Sequence, residues 1–541
     1  MAQVHGGRLV SKALARHGVT HLFTLCGGHI QAIYDGCIDD GIRVVDVRHE
    51  QTAGHAADGY ARMTGKPGIC AVTAGPGVTD AVTAVANAQR AGIPMVVIGG
   101  AGPRMLQDMG SLQDMNHVEL MRPITKWSVA VPATDRIQEY IDSAFRVAQS
   151  NVPGPVFLEM PLDLLMSFGD DAVPPTDPVI ESPRPGGDPR AIARAAELLR
   201  AAERPMFIVG SQIRWSPRRD ALRAFADVMG APFFLNGMAR GGLPYEHPNL
   251  MSRARKQALA QADVVFIFGT PLDFRLSYGR AILPDAKLIQ VDLDGNELGK
   301  NRRLDVAIHG DTGVVLAQLC EAVGKKTHGD WLAAIRAAED ASRAKMQSEV
   351  TSDADPPNPL RVCAEVSQRL GREDVVIGDG GDFVATAAYV LKMEWPQLWM
   401  DPGPLGTLGV GPGYAMAASL VRPEARTWIV YGDGSFGLHG LEFEAMARQG
   451  LPVIGVIGND AAWMQIRRGQ VDIYGKERAV ATALEYTRYD NVVEAVGGFG
   501  AYVEKVADLG PALDAALASG KPACVNVKIA SSDFRKGAIS V

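Results

Sequence analysis

Short β-branched runs alternate with longer Ala-rich stretches along the whole sequence, and this alternation restricts the fold more than any other feature. Val44–Val47, Ile69–Thr73, Pro94–Ile98, Phe207–Val209, Val264–Phe268, Leu288–Val291, Ile429–Tyr431 and Val453–Ile457 are runs of strand length, apolar except at Asp46, Thr73 and Gln290. Such runs fit strands buried on both faces, as in parallel sheets covered by helices. With 541 residues the chain is too long for one core. Two Pro-rich polar stretches divide it, Phe168 through Pro185-Gly-Gly and Ser348 through Pro359, and both read as linkers. The expected fold is α/β, with three doubly wound parallel-sheet domains over residues 1–165, 185–345 and 357–541.

Composition excludes several classes of function. The net charge is −7 with scattered basic residues, which leaves no nucleic-acid footprint or polybasic membrane anchor. No apolar run approaches the roughly 20 residues of a membrane span. The start, Met1-Ala-Gln-Val-His-Gly-Gly, lacks the regions of a signal peptide, so a cytoplasmic protein is expected. Cys26, Cys37, Cys70, Cys320, Cys363 and Cys524 have no zinc-type spacing and read as reduced core thiols.

Gly432-Asp433-Gly434-Ser435 follows a strand and opens a helix. Glycines there let backbone N–H groups approach a phosphate, although Gly-Asp-Gly is also an ordinary turn. Asn459-Asp460 ends the next strand, and adjacent parallel strands set their C-terminal ends side by side. Asp433 and Asp460 then converge beside the phosphate cradle, and magnesium takes one or two carboxylates plus phosphate oxygens. A second glycine loop, Gly378-Asp-Gly-Gly381-Asp382-Phe383, follows strand Val375–Ile377. Residues 69–100 and 427–459 also echo each other: strand, glycine loop, helix, an Arg-x-Gly-x-Pro segment and strand. A generic βαβ unit or two related halves around a shared cofactor would each produce that echo.

Arg48-His49-Glu50 precedes the expected helix Gln51–Arg62, and an acid at a helix start is favourable in itself. Continued by Ala53-Gly54-His55-Ala56-Ala57-Asp58-Gly59-Tyr60-Ala61-Arg62, the block is similar to the activating-glutamate region of thiamine-diphosphate enzymes. Gly432-Asp-Gly through Asn459-Asp460 resembles that family's diphosphate signature in order and span, with Asp460 where the family commonly has Asn. The resemblance implies a pyrimidine-binding, a central Rossmann-like and a diphosphate-binding domain. It further implies thiamine diphosphate with Mg2+ held by Asp433, Asp460 and the Ala462 carbonyl. Gly432, Gly434, Ser435, Asp382 and Phe383 would contact the diphosphate. Leu408, in Leu405-Gly406-Thr407-Leu408, would bend the cofactor while the backbone of Gly406 and Leu408 binds its pyrimidine. Glu50 would hydrogen-bond the aminopyrimidine and thereby favour loss of the thiazolium proton. Because Glu50 and the metal motif lie in different blocks, the site falls between domains. Family resemblance places it between subunits, at least a homodimer and by expectation a homotetramer.

Cofactor motifs do not specify substrate. Cys26-Gly27-Gly28-His29-Ile30 resembles the benzaldehyde-lyase and carboligase pattern, in which the histidine reaches the reacting hydroxyl. Leu112-Gln113 resembles the same enzymes and also 2-hydroxyacyl-CoA lyases. Phe436-Gly-Leu-His-Gly-Leu-Glu-Phe-Glu resembles the lyases and oxalyl-CoA decarboxylase. In the tail, Arg535 and Lys536 would suit the phosphates of CoA. In the middle block, Gly210, Asp292 and Asp311 stand at strand ends that could receive ADP, and FAD is disfavoured. The resulting expectation is a lyase that cleaves 2-hydroxyacyl-CoA to formyl-CoA and a ketone or aldehyde, with Glu50, His29 and Gln113 catalytic. The alternative is a benzaldehyde-lyase-like or acetolactate-synthase-like enzyme acting on free 2-hydroxyketones or 2-oxo acids.

Overall fold

The computed structural model describes residues 3–171, 183–395 and 398–530. It contains three six-stranded sheets, each parallel throughout. The expected α/β class with three parallel-sheet units is the observed one. Each strand read from the sequence is present, with ends displaced by at most a few residues.

The first sheet runs in the order Arg43–Asp46, His21–Thr24, Gly68–Val72, Met95–Ala101, Pro155–Pro161, Trp127–Ala130. The third runs Trp399–Met400, Val375–Asp379, Thr427–Gly432, Val453–Asn459, Ala523–Lys528, Phe499–Val503. Numbered by chain order within each sheet, both read 2-1-3-4-6-5. The middle sheet, built from Pro205–Val209 to Val306–His309, reads 3-2-1-4-5-6. The echo between the first and third blocks is thus an identity of topology, which the middle block does not share.

Helices Glu50–Thr64 and Gly411–Val421 pack directly on one another and join these two blocks. Small residues permit the close approach. A Cβ on Gly59 would stand 2.8 Å from the Tyr414 Cα, and one on Gly413 would stand 2.8 Å from the Thr52 carbonyl oxygen. One apolar core runs from Phe23 and Val72 through Tyr414 to Phe436 across this seam, while the middle block has its own. Buried in the seam, Asp58 accepts from Arg62 at 2.6 Å, Tyr414 Oη at 2.9 Å and Asn87 at 3.1 Å.

Two sequence expectations need correction. Phe168–Asp170, read as the start of a linker, is a strand paired antiparallel with Gln3–His5; three residues of edge pairing are too short to stand out beside Pro-rich sequence. Cys26 is exposed and Cys320 partly so, whereas the other four cysteines are buried as expected. Among the described residues no helix is long and apolar enough to cross a membrane.

Candidate active site

A cleft of about 990 Å³ opens at the C-terminal edge of the third sheet. Gly406, Leu408, Asp382, Phe383, Gly432, Asp433, Gly434, Ser435, Asp460 and Ala462, the residues expected there, all line it. Strand register brings them together, since Thr427–Gly432 pairs in parallel with Val453–Asn459, Gly432 opposite Gly458. The loops leaving the two strands therefore start side by side.

The glycines are needed for space. A Cβ on Gly434 would lie 2.6 Å from the Trp463 ring, and one on Gly458 would lie 2.5 Å from the Phe383 ring. At Gly406 nothing stands within 4 Å of a Cβ position and φ is +68°, so its backbone is accessible from the cleft and left-handed, which glycine adopts without penalty. Asp433 Oδ1 accepts from the Gly434 amide at 2.9 Å and Oδ2 from the Ala462 amide at 3.1 Å.

Electrostatics point to a cation. Burial, then the charges of Asp433 and Asp382, push Asp460 up to about 7, and burial pushes Asp433 up to about 6. Arg468 pairs with Asp382, leaving the Asp433–Asp460 pair short of positive charge. Among the described residues no three acidic, histidine or cysteine side chains form a metal cage. The donor set therefore suits a hard divalent ion that completes its shell with phosphate oxygens. The cleft fits both groups: a backbone cradle for a diphosphate and two carboxylates for its metal.

Glu50, His29 and Gln113 do not line this cleft. They sit at the C-terminal edge of the first sheet instead. Glu50 is 8% exposed at the first turn of its helix, whose N-cap is His49. Burial, with Asp80 adding to it, raises its pKa. His29 Nδ1 lies 3.1 Å from Thr73 Oγ1. Burial first, and then His117, lowers its pKa, so it is neutral at pH 7. Gln113 is in a turn with φ +62°, packed where a Cβ on Gly75 would be 2.8 Å from its own. The Gly75 amide donates to His117 Nε2 at 2.8 Å. The two groups of candidate residues thus lie on two different sheet edges of the chain.

The comparisons with known proteins divide the chain in the same way. Residues 4–120 match the thiamine pyrophosphate enzyme N-terminal TPP binding domain, 192–319 the central domain of the same enzymes, and 379–527 their C-terminal TPP binding domain. The chain belongs to the thiamine pyrophosphate enzyme family. It is similar to the 2-hydroxyacyl-CoA lyase 2 of Homo sapiens, 38% identical over 99% of this chain and 92% of the relative. The lyase of the same name from Caenorhabditis elegans is also 38% identical, over 99% and 91%. A probable acetolactate synthase of Mycobacterium bovis is 39% identical over 97% and 95%. This thiamine pyrophosphate enzyme therefore has relatives with two different named activities at equal similarity.

The middle block departs from the ADP expectation. Asp292 is fully buried, its Oδ1 accepting from Gln212 Nε2 at 2.6 Å and from the Asp294 amide at 2.8 Å. Asp311 is buried too and caps its own helix through the Gly313 and Val314 amides. A Cβ on Gly210 would meet the Thr270 side chain. Gln212 holds only Oδ1 of Asp292, while Oδ2 has no hydrogen-bond partner among the described residues; the match to the central domain names no nucleotide, so ADP is not supported here. Arg535 and Lys536 lie outside the described residues.

Sequence reasoning missed other groups. Asp379, fully buried, accepts from the Gly409 and Gly411 amides at 2.9 and 2.7 Å and from Ser435 Oγ, tying the Leu408 loop to the diphosphate loop. It lies in the quoted Gly378-Asp-Gly-Gly motif and was legible there. A second cleft, about 570 Å³, is lined by Arg240, Arg253, Arg255, Lys256, Arg275 and Arg343 and, among the described residues, by no acidic one. Arg240, Arg255 and Arg275 also line the carboxylate cleft, so the two adjoin. Arg255 meets the Asn236 side-chain oxygen at 3.1 Å and the Arg275 carbonyl, and burial lowers its pKa.

Proposed function

We propose that this enzyme is a thiamine-diphosphate and Mg2+ dependent lyase that cleaves a 2-hydroxyacyl-CoA to formyl-CoA and a ketone or aldehyde, reversibly. The observation that carries the thioester reading is the arginine-lined cleft that shares Arg240, Arg255 and Arg275 with the cofactor cleft. Arg275 is paired with Asp273 and Arg343 with Glu339, but Arg240, Arg255 and Lys256 still set positive charge beside the cleft, for which a substrate held by its reacting end alone has no use. A CoA nucleotide carries phosphates that guanidinium groups bind in bidentate fashion. The 2-hydroxyacyl-CoA lyases among the relatives agree with this choice.

Asp433, Asp460 and Ala462 would hold the metal, with Gly432, Gly434 and Gly406 offering backbone to the cofactor. Thiamine diphosphate, when bound, supplies a nucleophilic carbon and a sink for the electron pair released by carbon–carbon cleavage. Glu50 holds a proton at the aminopyrimidine ring. His29, neutral and backed by Thr73, accepts the 2-hydroxyl proton, and Gln113, packed on Gly75 at the same sheet edge, orients the hydroxyl. The separation of the half-sites within one chain supports a homodimer in which Glu50 of one copy serves the diphosphate cleft of the other, and a homotetramer remains part of the proposal.

Incubation with 2-hydroxyisobutyryl-CoA, and separately with pyruvate and benzoin, tests the substrate. Formyl-CoA from the thioester, identified by mass spectrometry, is expected. Turnover of only the free acid or ketone would overturn the thioester reading and favour the acetolactate-synthase-like alternative, which the Mycobacterium bovis relative supports.

A further inference from the structure

The turn that delivers Glu50 is held from the other side of the seam. Both carboxylate oxygens of Glu442 lie within hydrogen-bond distance of the Arg48 amide, at 3.1 and 3.0 Å. Glu442 opens the helix that follows the diphosphate helix Asp433–His439 and is 1% exposed. Nearby, Gln449 Nε2 donates to the Asp46 carbonyl at 2.7 Å and Arg448 to the Asp46 side chain at 2.8 Å. The His439 ring meets the His49 ring edge-on at 5.2 Å between centroids, and it sits where a Cβ on Gly409, beside Leu408, would stand. The strand end at Asp46, the turn at Arg48-His49 and the start of the Glu50 helix are therefore gripped by side chains of the C-terminal block.

A buried carboxylate on a backbone amide is an expensive way to close a seam that apolar packing could close. It does fix an amide in a way that apolar packing does not. Glu50 works through one hydrogen bond, and misplacement by about 1 Å costs such a group on the order of 100-fold in rate. We propose that Glu442 is a positioning residue for Glu50, setting the turn at Arg48 so that the Glu50 carboxyl meets the cofactor ring. The inference rests on the activating role proposed for Glu50.

The test uses full-length protein loaded with thiamine diphosphate and Mg2+. Three quantities are read: exchange of the cofactor's C2 hydrogen for deuterium, amide exchange over residues 48–52 and cofactor Kd. Glu442→Asp withdraws the acceptor by one methylene, about 1.5 Å, whereas Glu442→Gln keeps an acceptor oxygen in place. The Asp variant is expected to slow C2 exchange about 10-fold or more and to speed amide exchange at 48–52, with Kd little changed. The Gln variant should stay within about 3-fold of wild type in all three. C2 exchange at the wild-type rate in Glu442→Asp overturns the proposal, as does a loss in both variants that follows cofactor affinity alone. Glu50→Gln separates the two readings. If it abolishes C2 exchange while Glu442→Asp leaves it intact, only the positioning role fails; if it has no effect, the role of Glu50 itself fails.

Discussion

Asp433 Oδ2 accepts the amide of Ala462 at 3.1 Å, although the two residues leave different strands and stand 29 positions apart. The bond fixes Asp433 against the loop that carries Asp460, so the two carboxylates are placed before any cation arrives. Their raised pKa values, about 6 and about 7, express the repulsion and burial that a divalent ion would relieve.

The first prediction follows from that arrangement. Asp433→Ala removes one of the two carboxylates proposed to hold the metal and frees the Ala462 loop. Mg2+-dependent binding of thiamine diphosphate, followed by tryptophan fluorescence, should weaken by at least about 100-fold, more than a supporting residue outside the ligand set would cost. Chelation of the wild-type metal should release the cofactor in the same assay. Retention of affinity in the variant would remove Asp433 from the ligand set.

His29 gives the pH prediction. Burial and His117 lower its pKa below 6.5, so the neutral, proton-accepting ring persists as pH falls through 6.5. Any loss of kcat/KM caused by His29 protonation should therefore appear only below that value. His29→Ala should lower kcat by about 100-fold or more and remove this acid limb. A limb unchanged in the variant would belong to another group.

Much of this was readable from the sequence because the signals are local. Short, mostly apolar runs identify the strands, and the glycine loop at Gly432, ambiguous alone, gains meaning from Asn459-Asp460 at the end of the next strand. What escaped depends on distant partners. Glu442 and Arg48 are 394 positions apart, and neither carries a mark of the other. Asp292 reads as a ribose acceptor from its place at a strand end, whereas Gln212, bonded to its Oδ1, stands 80 positions away. Arg240, Arg255 and Arg275 lie among scattered basic residues, and only the fold gathers them into one cleft.

Arg255 supplies the specificity prediction. It lines both clefts and its hydrogen bonds go to neutral oxygens of Asn236 and Arg275. Loss of one charge-assisted phosphate contact is worth about 1.5–3 kcal/mol, so Arg255→Ala should raise KM for a 2-hydroxyacyl-CoA by roughly 10- to 100-fold. With kcat nearly unchanged, steady-state kinetics would place the effect on binding. An equal KM for the thioester in variant and wild type would take Arg255 out of substrate recognition.

Asp58 at the seam tests stability apart from chemistry. It is fully buried, and Arg62, Tyr414 and Asn87 all converge on it. Arg62 is itself 3% exposed and also donates to the Asp401 carbonyl at 2.7 Å. Asp58→Ala would leave a guanidinium buried without its counter-charge, which costs about 3–5 kcal/mol. Asp58→Asn keeps an acceptor for Tyr414 but not the charge, and should fall between the two. Because the network joins helices Glu50–Thr64 and Gly411–Val421, thermal unfolding of the apoprotein should begin earlier in both variants, most in Asp58→Ala. Melting curves that superimpose on wild type would mean that Arg62 finds another anion or water once Asp58 is gone, and that the small-residue packing at Gly59 and Gly413 holds the seam on its own.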